Sequence, residues 1–204
     1  MKTLYFDFET TGLNPMVHAP IQFAGIIDVD GKIVDEFEYF ASPGAMEVDN
    51  KALEVNGRTL KEILAWPSQD ALHDALCSKF GHHVDKFNSD DRLTPCAFNG
   101  WFDYTFMSEL FRRAGDKYFG SWTNHRLLDP LPVARFLVHA GVLPPPRNFK
   151  QTTLCETFGI STANAHDALA DVRMLRSLMM LLSDGIRAVD IEYDPVCHRF
   201  FVEE

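Results

Sequence analysis

The chain is 204 residues long, 46% hydrophobic and 24% charged, which fits one soluble globular domain and excludes a disordered or low-complexity chain. Its formal net charge of −10 argues at first against nucleic acid, whose phosphates reward basic surfaces. The acidity is regional, however: residues 1–111 carry 8 Lys/Arg against 18 Asp/Glu, whereas residues 112–176 carry 9 against 5.

The opening stretch "LYFDFETTGL" reads as a strand. Side chains alternate between the faces of a strand, so Leu4, Phe6 and Phe8 share one face while Tyr5, Asp7 and Glu9 share the other. Two carboxylates side by side repel unless a cation sits between them, and a Thr-Thr-Gly turn follows at once, as at the rim of a site. Read alone, the same pattern also describes an edge strand with a solvated acidic face. "PIQFAGIIDVD" and "GKIVDEFEYFA" read as two more strands, joined by an Asp-Gly hairpin turn.

Residues 46–87 read as helical, with Ser68 as an N-cap and Leu72, Ala75, Leu76, Phe80 and Val84 on one stripe. "LTPCAFNG" is a short buried strand, and "DYTFMSELFRRAG" a helix with Asp103 near its start and Gly115 at its end. A further strand is expected around "HRLLD", a helix in "PLPVARFLVHAG", a short Thr-capped helix in "TTLCETFGI", and a long amphipathic helix in "HDALADVRMLRSLMMLLSDG" ended by Gly185. The layout is α/β, with a mixed five-stranded sheet covered by helices. Residues 1–185 form the expected domain, and residues 186–204 a C-terminal extension packed on it, of unassigned role.

No apolar run reaches the roughly 18–20 residues of a membrane span, and "MKTLYFDFE" lacks the apolar core of a signal peptide. No membrane association and a cytoplasmic location are expected. Cys77, Cys96, Cys155 and Cys197 are scattered and are read as reduced thiols. Cys197-His198 has no second ligand pair at zinc spacing, so no structural zinc is expected.

Three stretches stand out together: "FDFETTGL" with Asp7 and Glu9, "FNGWFD" with Asn99 and Asp103, and "HDALADV" with His166 and Asp171. In order and at matching element boundaries, they resemble the three exonuclease motifs of the DEDDh superfamily of 3′→5′ exonucleases. That group contains the proofreading subunit of bacterial DNA polymerase III, bacterial exonuclease I, ribonuclease T and oligoribonuclease. The likeness runs over roughly residues 4–182, supported by "PIQFAGI", "LLDPLPVARF" and "TTLCETFGIS". The first phenylalanine of "AFNGWFD" stands where many relatives have His, and "KFNSDD" has no counterpart.

The resemblance implies a ribonuclease-H-like fold and two Mg²⁺ ions, with Mn²⁺ able to substitute, bound by Asp7, Glu9, Asp103 and Asp171. Carboxylate oxygens are hard donors suited to such ions. Asp7 would bridge them, Glu9 and Asp171 would complete one ion's shell, and Asp103 would help hold the second. His166, five residues before Asp171 where the sister group has Tyr four before, is the candidate general base, with an unperturbed pKa near ~6.5 suited to neutral pH.

By the same resemblance, the turn through Thr10, Thr11, Gly12 and Leu13 would approach the terminal nucleotide, with Asn99 and Phe102 flanking it. Arg112, Arg113, Arg126, Arg147, Lys150 and Arg173 are candidates for tracking phosphates. The expected activity is removal of nucleoside 5′-monophosphates from single-stranded 3′ ends, DNA favoured over RNA. An exoribonuclease or short-oligonucleotide hydrolase is the alternative within the enzyme class. A proofreading or docking subunit of a DNA polymerase complex is the alternative of another class.

Overall fold

The structure is a computed structural model and describes residues 1–163, 167–187, 191–194 and 199–202. Strands β1 (Lys2–Thr10), β2 (Pro20–Val29) and β3 (Lys32–Phe40) form an antiparallel meander. Asp30 and Gly31 turn the second hairpin with φ of 53° and 85°, the left-handed pair that suits a tight hairpin. β4 (Thr94–Cys96) lies parallel to β1 on its other side, giving the order β3-β2-β1-β4.

The expected fifth strand is absent from this sheet. Leu128 makes a single bridge to Cys96, exchanging backbone bonds with Pro95 and Ala97. One residue later Asp129 caps helix α6 (Pro130–His139), and Pro130 at the first helical turn leaves the strand no length. The tail instead forms a separate two-stranded antiparallel sheet, β5 (Ile191–Asp194) with β6 (Arg199–Val202).

Residues 46–87 are three helices rather than one continuous stretch: α1 (Asn50–Asn56), α2 (Leu60–Ile63) and α3 (Gln69–Gly81). Gly57 ends α1 in the left-handed conformation, Thr59 and Glu62 make a capping box that restarts the chain, and Pro67 separates α2 from the Ser68 cap of α3. Each is a stop or start signal strong enough to override helical periodicity. The remaining helices are α4 (Trp101–Arg113), α5 (Phe119–Trp122), α7 (Gln151–Thr157) and α8 (Ala168–Arg187). Two further boundaries differ from expectation. Lys150, not a threonine, occupies the N-cap of α7, and α8 runs through Gly185 to Arg187, since one glycine costs a helix only about 1 kcal/mol.

The alternation of β1 sorts the core into two layers. Leu4, Phe6 and Phe8, with Phe23, Ile27 and Phe37, pack under α3 and α4 through Leu72, Leu76, Phe80, Phe106 and Leu110. Burying each such side chain stabilises the fold by about 1.5–3 kcal/mol. On the opposite face Tyr5, Ala24, Ile26 and Cys96 pack under Ala168, Val172 and Leu175 of α8. Asp7 and Glu9 therefore lie on the α8 side, opposite Ala24 and Gln22 of β2. Among the described residues no helix is long and apolar enough to cross a membrane. Cys77, Cys96 and Cys155 are free thiols; Cys197 and His198 lie outside the described residues.

Candidate active site

The carboxylates converge because β1 outlasts β4. Pairing with β4 stops at Tyr5, and the chain turns through Asn99, at φ 53°, into α4. Gly100 is required in that turn, since a Cβ there would stand 2.7 Å from the Ala97 carbonyl oxygen. Asp103, in the first turn of α4, reaches the uncovered edge of β1 and accepts the Phe8 backbone N–H at 3.0 Å. It is buried, with 3% of its surface exposed.

From the other side α8 begins at Ala168, with the Asp167 carboxylate accepting the Ala170 N–H at 3.1 Å. One turn on, Asp171 meets the strand. Gln151 of α7 donates to the Asp171 carbonyl at 2.7 Å and fixes that turn. Carboxylate oxygens of Asp7, Glu9 and Asp171 all lie within 4.8 Å of one another. Asp103 stands beside this triad rather than in it.

Charge is crowded here. Burial, then Asp103, Glu9 and Asp171, push the Asp7 carboxyl well above the usual carboxylate range. Burial and then Asp171 raise Glu9 to about 7, against the opposing pull of Arg58. Burial raises Asp103 to about 7 as well, with the Phe8 N–H bond pulling it down. Such crowding favours protonation, or a cation between the acids, and three carboxylates this close offer the hard oxygen donors that a divalent ion uses. The residues present fit the implied metals.

The expected substrate residues divide. Leu13, 83% exposed, Phe102 and Thr10 line a cavity of about 390 Å³ beside Glu9, together with Phe8, Ala52 and Val55. Thr10 gives its hydroxyl to the Gly12 carbonyl at 2.8 Å. Thr11 is fully buried. Its hydroxyl donates to the Glu47 carbonyl at 2.7 Å and accepts the Ala19 N–H at 2.9 Å, so it is committed to shaping the loop. Asn99 is exposed and does not line that cavity. His166 lies outside the described residues.

The basic candidates are largely engaged by the chain itself. Arg112 pairs with Glu109, Arg147 with Glu156 and Arg173 with Glu36, while Arg113 holds the 15–18 turn through the Pro15 and His18 carbonyls.

Sequence reasoning missed two supporting residues. Asp129 accepts the N–H groups of Asn99 and Gly100, each at 3.1 Å, as well as that of Leu131, thereby holding the turn that delivers Asp103. Its signal was legible, an Asp before Pro at a helix start. Arg58 stands over the Phe40 and Trp66 rings near Glu9, and nothing in its local sequence marks it.

Residues 4–179 match the family described as RNase_T exonuclease. Among curated proteins, the PolC-type DNA polymerase III of Bacillus cereus is 28% identical over 188 residues, covering 92% of this chain and 12% of that protein. The PolC-type enzyme of Oceanobacillus iheyensis is 31% identical over 177 residues, covering 87% of this chain and 11% of that one. The chain thus spans about 12% of the length of these relatives. Among solved structures, E. coli exonuclease I in complex with a dA16 oligonucleotide superposes with a TM-score of 0.77 at 23% identity, covering 92% of this chain and 42% of that one. At that identity the likeness speaks to the fold.

Proposed function

On the premise that the chain belongs to the RNase T-type exonuclease family, within the DEDDh-type 3′→5′ exonuclease superfamily, we propose that it removes nucleoside 5′-monophosphates from the 3′ ends of single-stranded DNA. The family is divalent-metal dependent. We assign Mg²⁺, with Mn²⁺ as substitute, to Asp7, Glu9, Asp171 and Asp103. The observation that carries the reading is the Asp7, Glu9 and Asp171 cluster opening beside the cavity rimmed by Leu13 and Phe102.

Divalent ions at such carboxylates stabilise both the attacking and the leaving oxygen of an in-line displacement at phosphorus. The chain's own contribution is positioning. Asp7 and Glu9 are held rigidly by β1, and Asp171 by the first turns of α8. Leu13 and Phe102 offer apolar surface to the last base, and the exposed Trp101, stacked on Tyr104 with ring centroids 5.9 Å apart, offers a face to a following one. His166 accepts the proton of the attacking water.

DNA is favoured because the exonuclease I structures of similar fold hold dA16 and dT13 oligonucleotides. A second reading, a proofreading module acting within a DNA polymerase, is supported by the PolC-type relatives. In either case we take residues 1–185 as the exonuclease unit, residues 186–204 as an extension packed on it, and the cytoplasm as its location.

The test is digestion of matched DNA and RNA oligomers carrying a label at one end or the other. A ladder shortening from the 3′ end of DNA, abolished by chelator, is expected, with His166→Ala lowering kcat by roughly 10²–10⁴. Undiminished cleavage in excess chelator would overturn the metal assignment, and preferential loss of RNA would transfer the substrate to the exoribonuclease reading.

A further inference from the structure

A second cluster of metal-binding side chains lies away from the carboxylates. His73 and Cys77 are one turn apart on α3 and face Asp116, just past the end of α4. Asp103 opens α4 and Asp116 follows its end, so about 20 Å of helix separates this cluster from the carboxylate site. We propose that His73 Nε2, Cys77 Sγ and Asp116 Oδ2 form a binding site for a divalent ion of the Zn²⁺ class, tying α3 to the chain behind α4.

The distances lie within a few tenths of an ångström of those in a coordination polyhedron. Zn–N, Zn–S and Zn–O bonds of about 2.0–2.3 Å in a tetrahedron put the ligand atoms roughly 3.4–3.6 Å apart. In the structure Nε2 is 3.2 Å from Asp116 Oδ2 and 3.4 Å from Cys77 Sγ, and Sγ is 3.9 Å from Oδ2. The fourth position falls to water. Binding displaces the Cys77 thiol proton to solvent, leaving thiolate as a ligand.

The surroundings orient each ligand. Asp116 Oδ1 accepts the Tyr118 backbone N–H at 2.6 Å, which aims Oδ2 at the cluster. Phe111 packs edge-on against the His73 ring at 4.8 Å between centroids. His73 Nδ1 lies 3.1 Å from Asp74 Oδ1, the outer carboxylate that metal-binding histidines commonly carry. The imidazole therefore has a carboxylate at each edge. With its N–H at Nδ1 toward Asp74, a neutral ring turns the Nε2 lone pair toward Cys77 and Asp116, the tautomer that a metal ligand needs. The side chains of His73 and Asp116 are 13% and 18% exposed, covered yet within reach of solvent.

Donor chemistry selects the ion. A set of one nitrogen, one sulfur and one oxygen suits Zn²⁺ or Co²⁺ and is foreign to Mg²⁺, so the two clusters divide hard from softer metals. No spacing motif announces the site, because its third ligand lies 39 residues beyond Cys77.

Co²⁺ titration of the full chain at saturating Mg²⁺ tests the proposal, since only a thiolate ligand gives the near-ultraviolet sulfur-to-cobalt charge-transfer band. The band should appear with the wild-type protein, vanish in Cys77→Ser and His73→Gln, and persist in Cys197→Ser. Zn²⁺ should compete it away and should raise the melting temperature of the wild type but of neither cluster variant. Asp74→Asn should weaken Co²⁺ binding by about 10-fold, the lower end of what losing an outer carboxylate does. No band in the wild type, or one that survives Cys77→Ser or follows Cys197, would overturn the site and leave His73, Cys77 and Asp116 as a hydrogen-bonded cluster only.

Discussion

The middle and the first turns of α8 treat acids in opposite ways. Its middle carries Arg176, whose guanidinium binds Asp28 of β2 through Nε at 2.9 Å and Nη2 at 2.7 Å while also reaching the Gly31 carbonyl. Arg173 pairs likewise with Glu36 of β3. Its first turns bring Asp171 against Asp7 and Glu9, where burial and the neighbouring carboxylates raise Asp7 and Glu9 against the opposing pull of Arg58 on Glu9. Asp28 and Asp103 are equally buried, each 3% exposed. Burial alone therefore does not separate structural acids from site acids. What separates them is the neighbour each acid meets: Asp28 meets a guanidinium, whereas Asp7 and Glu9 meet other carboxylates.

The largest effect should come from the first turns, where the acids crowd one another. Asp7→Asn removes a central ligand at constant shape and should lower kcat by at least about 10³-fold, the several kcal/mol that metal stabilisation of the transition state supplies. Its melting temperature without metal should stay level or rise, because a repelling charge is gone. A marked fall in melting temperature would place Asp7 with the structural acids. Arg176→Ala should do the reverse, costing about 3 kcal/mol in urea unfolding because Asp28 is left buried and unpaired, with kcat of the folded protein nearly unchanged.

A smaller effect sharpens the same contrast through pH. Glu9 and Asp103 are raised to about 7 in the folded chain, so between their ordinary values near 4 and pH 7 the native state holds protons that the unfolded state has lost. Stability then falls as pH rises through that window. Asp35, held low chiefly by His83 and Lys79 against its burial, and Glu109, held low by Arg112, contribute in the opposite sense, but only below about pH 5. In chelator, melting temperature should decline from pH 5 to 8, and saturating Mn²⁺ should flatten or invert the slope. A chelated protein that grows steadily more stable over this interval would contradict the crowding of charge at the site.

The grouping of acids at the candidate site was legible in the sequence where chemistry and period coincide. On β1, alternation alone assigned Asp7 and Glu9 to the face opposite Leu4, Phe6 and Phe8, and the packing under α8 follows that division. Asp103 and Asp171 were legible as acids opening helices. Contributions from side chains distant along the chain were not legible. Thr11 is expected from the sequence as a substrate contact, and the sequence gives no sign that the Glu47 carbonyl and the Ala19 N–H use its hydroxyl. Arg113 looked like a phosphate ligand but is turned onto the Pro15 and His18 carbonyls. The fifth strand is cut short for a local reason present in the sequence, the Asp129-Pro130 helix start directly after Leu128.

The smallest expected effect separates the two arginines of α8 from each other. Arg173 reaches Glu36 with both Nε and Nη2, a geometry as favourable as that of Arg176, yet its side chain is 56% exposed and that of Glu36 is 31% exposed. For Arg176 and Asp28 the corresponding values are 19% and 5%. Water screens the outer pair and solvates either member when the other is removed, so Arg173→Ala should cost less than about 1 kcal/mol. A double-mutant cycle with Glu36→Gln should return a coupling of the same small size that shrinks further in high salt. If the Arg173 pair instead proved as costly to break as the Arg176 pair, hydrogen-bond geometry rather than burial would govern how α8 is held to the sheet, and the cost assigned to an unpaired Asp28 would need the same revision.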